Sequence, residues 1–388
     1  VNSGASCVAD PAPLPSDLSP KRLRQGTLRL AGLIVFVGVV ITLLPGLGSL
    51  RKQFAHAQAA WIVIGAAFEV LSILAYVPAF RVVFCRRMSW RTSYTIAMAE
   101  QGANSLLPVG GAGGLALGAW ALHRGGMPSA EIARKTVAFF LLTSVPNVGT
   151  LVLVGLGLAA GIIPGHASLA LTLIPALVAA GAIVGTLALG RYARRLEARL
   201  EQRSTHSRER LASILRALAD GIDEAVRLLR HGDPMLLLGL IGYMLFDIFA
   251  LWASFRALGS APELGIVWIA YLIGQLGNLI PIPGGIGGVE LGLIGMLTAY
   301  GLPALTSTAA VLLYRALELW IPAAFGLVAF VQLRGLLRRE TDALRVCRPG
   351  EVVDVIGMGS VVAGSVGSGG SVGSVGSGGS GAEPGGGG

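Results

Sequence analysis

Six stretches of this 388-residue chain run for about twenty residues or more with scarcely a charge: 28–47, 59–83, 137–161, 167–190, 235–258 and 309–333. About twenty apolar residues in an α-helix reach across the hydrocarbon core of a bilayer. Within that core each backbone polar group must be satisfied by the protein itself, and a helix does this within one segment. A water-soluble fold fails on composition. Charged residues are 13% of the chain and hydrophobic residues 53%, with a mean hydropathy of +0.71. Soluble domains carry about twice that charge. The expected fold is an all-α, polytopic membrane protein.

Two further apolar regions, 93–122 and 264–300, are interrupted. The first contains Leu107-Pro108-Val109-Gly110-Gly111-Ala112-Gly113-Gly114 and the second Pro281-Ile282-Pro283-Gly284-Gly285-Ile286-Gly287-Gly288. Neither half of either region makes a comfortable span. Two short helices around a Gly/Pro turn read as a re-entrant hairpin, its irregular backbone buried in protein. Charge argues the same way. Basic residues collect on cytoplasmic loops, so Lys21, Arg22, Arg24 and Arg29 place the N-terminus inside. If 93–122 enters and returns, Arg124, Arg134 and Lys135 stay inside, as do ten arginines in 191–230 and the C-terminal Arg334, Arg338, Arg339, Arg345 and Arg348. A single crossing would put the first three outside. Only Arg51 and Lys52 fall on the wrong side. The expected architecture is six full transmembrane helices plus two re-entrant hairpins.

The interrupted regions match each other. Gln101, Asn104, Gly110, Gly111, Gly113 and Gly114 correspond to Gln275, Asn278, Gly284, Gly285, Gly287 and Gly288 at a constant offset of 174 (residue 275 against 101, 284 against 110). Phe68-Glu69 has a counterpart in Phe246-Asp247, Phe80-Arg81 in Phe255-Arg256, and Val145-Pro146 in Ile321-Pro322. By charge parity the two hairpins enter from opposite sides, giving two inverted repeats. Transporters built this way place their site near the midplane, where broken helices meet. The expected divisions are a disordered 1–24, a first repeat over 25–165, a second over 166–340, and a basic then Gly/Ser-rich tail over 341–388. An insertion at 191–232 carries Leu196, Leu200, Leu211, Leu215, Leu218, Ile222 and Val226 at helical spacing. It reads as one or two amphipathic helices on the anionic inner leaflet, or else as a solvated charged loop.

Ionisable groups inside spans are costly and mark candidate sites. Here they are Glu69, Glu100, Asp247, Glu290, Arg315 and Glu318. The repeat alone does not account for Glu290 and Arg315, whose counterparts are Ala116 and a position near Phe140. The Arg315 fork suits phosphate oxygens, with Glu290 as its switching partner. Alternatively, Glu318 one turn on neutralises Arg315 in a structural pair. Glu69 and Asp247 would contact hairpin backbone donors or stand as lone protonated carboxyls. Gln101, Asn104, Gln275 and Asn278 would bond hairpin carbonyls rather than substrate. The glycine runs lack the Lys-Ser/Thr and preceding strand of a nucleotide loop. Cys7, Cys85 and Cys347 lie far apart without CxxC spacing, so neither a disulfide framework nor a zinc site is expected. No metal, cofactor or nucleic-acid partner is expected.

The run Pro283-Gly284-Gly285-Ile286-Gly287-Gly288-Val289-Glu290, followed by Tyr314-Arg315 and Trp320-Ile321-Pro322, resembles the membrane region of lysylphosphatidylglycerol synthases, the flippase-like UPF0104 group. The resemblance covers roughly residues 25–340. It implies a membrane part that moves aminoacylated phosphatidylglycerol to the outer leaflet, with a separate soluble domain making the lipid. After Leu337 only a short basic stretch and the Gly/Ser tail follow, so no synthase is expected and the cargo does not carry over. The expected activity is a lipid flippase of the bacterial cytoplasmic membrane, both termini cytoplasmic. Its cargo would be an anionic, aminoacylated or polyprenyl-phosphate lipid, bound near Arg315, Glu290, Glu318, Asn278, Gln275, Asn104, Gln101, Glu69 and Asp247. The alternative is a membrane-embedded partner of an envelope glycolipid or aminoacyl-lipid synthesis enzyme. An independent enzyme is not expected; a synthesis enzyme and a second copy of the chain are further candidate partners.

Overall fold

The structure, a computed structural model, describes residues 28, 32, 48–106, 112–162, 169–201, 206–275 and 287–339. Among these there are eleven helices and no strand. In chain order they are α1 Gly48–Ala55, α2 Ala59–Phe84, α3 Trp90–Leu106, α4 Ala112–Arg124, α5 Ser129–Ala159 and α6 Leu169–Glu201. Then follow α7 His206–His231, α8 Pro234–Ala257, α9 Leu264–Gly274, α10 Gly288–Ala299 and α11 Ala304–Arg339. Five of them, α2, α5, α6, α8 and α11, are long and apolar enough to cross a membrane. They coincide with five of the six apolar runs; the first, 28–47, lies almost wholly outside the described residues. Large side chains on these helices face outward without cover, Leu238 at 75% and Leu153 at 69% exposed. In water such a surface would aggregate; in lipid it is solvated. The chain is a multi-pass membrane protein.

Local chemistry explains where the spans begin and bend. At α8, Asp233 accepts from the backbone N–H of Met235 at 2.9 Å, and Pro234 takes the first helical position, where no N–H is needed. Four spans carry an interior proline: Pro78 in α2, Pro146 in α5, Pro175 in α6 and Pro322 in α11. Each removes one rung of the helix ladder. The interrupted regions form pairs of short helices, α3 with α4 and α9 with α10. At 1.5 Å per residue their lengths are about 25, 20, 16 and 18 Å. Each falls short of a roughly 30 Å hydrocarbon core.

Side-chain contacts group the helix ends. Lys135 near the start of α5 donates to the Phe84 carbonyl that ends α2, at 2.6 Å, and Arg86 pairs with Asp233 at the start of α8. At the other end, the Gln58 N–H before α2 donates to the Ala257 carbonyl at the end of α8, at 2.8 Å. There also, Gln53 of α1 donates to Thr306 at the start of α11, at 3.2 Å. The chain therefore leaves α2 and enters α5 at one end, and leaves α8 and enters α11 at the opposite end.

The buried residues form two apolar cores. One gathers the α3–α4 pair with the end of α2 and the start of α5, Leu236 and Leu240 of α8, and the end of α11 from Ala323 to Leu333. The other gathers the α9–α10 pair with the end of α5, α8 from Met244 on, and Ala310, Val311 and Tyr314 of α11. The helices α5, α8 and α11 each contribute to both. The most extensive packing joins α2 to α8, followed by α3 against α11.

The basic insertion continues α6 to Glu201 and returns as α7. Its predicted apolar stripe is real, but it does not present itself to the inner leaflet. Ile222 packs against Gly190, and Gly221 lies so close to Val137 that a Cβ there would collide with it. Ala212, Ala219 and Ala225 are buried on the same face, and Arg194 pairs with Asp223. The apolar face of α7 thus covers α5 and α6, because intramolecular burial of that stripe competes with lipid for the same surface. Cys85 takes part in a disulfide, contrary to expectation from spacing.

Candidate functional site

Between the two cores runs a seam at which polar side chains collect. On α2 it falls between Phe68 and Ile73, on α8 between Tyr243 and Met244, and on α11 between Tyr314 and Leu319, the members of each pair packing in different cores. Glu69 and Arg315 sit in these intervals, and Asp247 lies one turn past its own.

Gly287 has φ +91°, a left-handed conformation that glycine adopts without strain, and α10 opens at Gly288. The first turn of a helix leaves N–H groups unpaired and favours a negative group nearby. Glu290 meets both needs, its Oε2 accepting from the Gly287 N–H at 2.6 Å. Its Oε1 accepts from Arg315 Nε at 2.9 Å, and Arg315 Nη1 donates to Glu318 Oε2 at 2.5 Å. The Arg315 side chain is 5% exposed. Arg315 is therefore paired with Glu290 and Glu318 at once. One carboxylate comes from its own helix and the other from the tip of the second interrupted region.

Across the seam, Glu69 of α2 and Asp247 of α8 lie within hydrogen-bond contact of each other. Asp247 Oδ2 also accepts from Tyr271 of α9 at 2.6 Å, and the Tyr314 hydroxyl reaches Asp247 as well. The hairpin turns at 107–111 and 276–286 lie outside the described residues, while the two carboxyls do not stand alone, which corrects that expectation. Their positions on the two most tightly packed helices bring them together. The counterparts Phe68 and Phe246 likewise stack on one another, 6.3 Å between ring centroids.

The amides divide. Asn104 accepts from the backbone N–H of Gly114 at 2.9 Å, tying the end of α3 to the start of α4. Its bond runs to a hairpin N–H rather than a carbonyl. Gln101 donates to the hydroxyl of Tyr243 on α8, and Gln275 to that of Tyr314 on α11, each at 3.4 Å. These two fasten each interrupted region to a span. Glu100 Oε1 accepts from Tyr76 of α2 at 3.1 Å. Gly113 lies within α4. Asn278, Gly110, Gly111, Gly284 and Gly285 lie outside the described residues.

Sequence reasoning missed the tyrosines. Tyr76, Tyr243, Tyr271 and Tyr314 supply the hydroxyls that link the carboxyls and amides of five helices. The signal was present: these are four of seven tyrosines, each inside an apolar run where its hydroxyl needs a partner. A separate cavity of about 320 Å³, lined by Lys52, Gln53, His56, Gln58, Leu258 and Gly259, lies at the α1 end. It shares no residue with the Arg315 network.

Chemically, the seam holds one guanidinium between two carboxylates, with a second carboxyl pair, Glu69 and Asp247, nearby along it. Arg315 is held on two sides, yet an anion with paired oxygens could take the place of Glu290, which keeps its Gly287 bond. No group of three or more metal-binding side chains occurs among the described residues.

Comparison with known proteins places the chain among membrane proteins. Over 128 residues, 31% of this chain, it is 27% identical to a UPF0104 membrane protein of Methanothermobacter thermautotrophicus. That match spans 38% of the relative's length, so the chain covers well under two thirds of it. No solved structure matches. The family model of the lysylphosphatidylglycerol synthase TM region matches residues 29–326, and the chain belongs to that family.

Proposed function

We propose that this protein moves a lipid between the leaflets of a bacterial cytoplasmic membrane, the cargo being a phospholipid or a polyprenyl-phosphate-type lipid. The observation that carries the reading is the bridge from Arg315 to Glu290 and Glu318, which pins the tip helix α10 to α11 through a group suited to phosphate. A headgroup phosphate entering the seam competes with Glu290 for Arg315. Once Glu290 is displaced, α10 is freed from α11 and the second core can part.

Two inverted repeats supply the alternation. In support, the interrupted regions lie in different cores, and the spans that pass through both cores meet them at opposite ends. Re-entry is supported by the grouping of helix ends, since α3–α4 begins and finishes at one end and α9–α10 at the other. Counterpart residues touching across α2 and α8, as Phe68 and Phe246 do, are what a two-fold relation between halves produces. The full architecture would be six spans and two hairpins. The arginine-rich end would be cytoplasmic with both termini, leaving Arg51 and Lys52 outside. The chain itself would carry no catalytic step.

The family description favours one second reading, in which this membrane region serves a lipid-synthesis enzyme as its partner. Leaflet-resolved transport in proteoliposomes separates the two. Anionic, aminoacylated and polyprenyl-phosphate lipids are compared for the wild type and R315A. Movement of one class, lost in R315A, supports the transporter. Rates equal to those of empty vesicles for every lipid defeat it.

A further inference from the structure

Glu69 is 3% exposed and Asp247 9%, and each keeps one carboxyl oxygen, Oε2 and Oδ1, without a hydrogen-bond donor. Two carboxylates in contact cannot both stay ionised in a dry site, because like charges repel and neither is hydrated. One proton held by the pair removes one of the two like charges. Groups on every neighbouring element bear on the pair. Tyr271 of α9 and Tyr314 of α11 donate or reach toward Asp247, while Tyr243 of α8 and the Glu100–Tyr76 contact of α3 and α2 lie further along the seam. On α11, Glu318 adds negative charge, and Arg315 offsets it only in part because Glu290 and Glu318 already hold its guanidinium. The surroundings therefore call for a cation at the pair. Two carboxyls with a few phenols lack the six or more oxygens a hard metal ion gathers, which favours a proton.

We propose that the Glu69–Asp247 pair is a proton-binding site that couples lipid movement to proton exchange across the membrane. The idea rests on the transporter reading and names its driving ion. When the seam opens to one side, a carboxylate of the pair takes a proton from water there and becomes a carboxylic acid. On closure its O–H bridges to the partner carboxylate. When the seam opens to the other side, water replaces that bridge, the O–H bond breaks and the proton leaves.

The full chain is reconstituted into vesicles of phosphatidylcholine and phosphatidylglycerol carrying a labelled phosphatidylglycerol probe, with the membrane potential clamped. A one-unit pH gradient should bias the final leaflet distribution of the probe by up to about tenfold for one coupled proton. E69Q and D247N should lose that bias. A wild type that moves the probe equally with and without the gradient, or that responds only to sodium, overturns the proposal while leaving the transporter intact. A second arm needs no transport: infrared difference spectra of the reconstituted wild type should show a protonated-carboxyl C=O band that disappears in both variants. Its absence from the wild type overturns the proposal even if neither variant folds. If the probe moves in no vesicle, phosphatidylglycerol is not the cargo and the infrared arm alone decides the pair.

Discussion

Arg315 accepts restraint from two carboxylates that do different jobs, and substitution separates them. Glu318 only balances charge one turn along α11, whereas Glu290 also caps α10 through Gly287. E290Q should therefore cost more thermal stability in detergent than E318Q. R315A leaves both carboxylates facing each other in a dry seam, and should destabilise by about 3–5 kcal/mol. R315K should recover charge but not the two-sided grip, so stability returns further than transport does. At Gly114 a Cβ would run into the Asn104 amide and the Glu100 carbonyl. G114A should cost about 1–3 kcal/mol by overpacking, visible as a lowered melting temperature. The charged members of the site were readable from sequence because an ion in an apolar run has no ordinary reason to be there. The hydroxyls joining them were not, since a tyrosine in the same run is also an ordinary apolar filler and only its neighbours in space reveal its partner.

The helices were readable to within a few residues where hydropathy set them, as at α2 and α8. They ran past expectation at α6 and α11, where helix continues into charged sequence that hydropathy does not count. The amphipathic stripe of α7 was correctly seen but wrongly placed, because periodicity shows which face wants cover and not what covers it. I222A should thus destabilise by about 2–5 kcal/mol, as a core truncation does, rather than merely weaken vesicle binding. The contact of α3 with α11 has a stricter requirement. Gly102 and Gly326 face each other with no room for a Cβ on either, each meeting the other's backbone. G102L should push the helices apart and abolish transport while leaving α7 packing intact. A G102C/G326C pair in an otherwise cysteine-free chain should crosslink readily, and no crosslink would mean the two helices do not meet in the membrane.

For the molecule as a whole, the decisive property is that helix ends are sorted into two groups. A cysteine replacing Gly125, beside the α2–α5 end, should react only with reagent on the cytoplasmic face. One replacing Ser260, beside the α8–α11 end, should react only from outside. Labelling of both from one side would undo the opposed entry of the two interrupted regions. The proline of α11 gives this plan a mechanical consequence. Pro322 withholds an N–H from the Glu318 carbonyl, in the turn that also bears Arg315, and Gly326 pins the helix to α3 one turn beyond. From Pro322 to Arg339 the helix extends about 26 Å, so a bend of about 10° at the proline carries its far end through about 4 Å. The site lies at the fulcrum and the arginine-rich end of α11 at the tip of the arm. A side-chain exchange at Arg315 too small to be seen from outside would be announced there as the movement of a whole helix end.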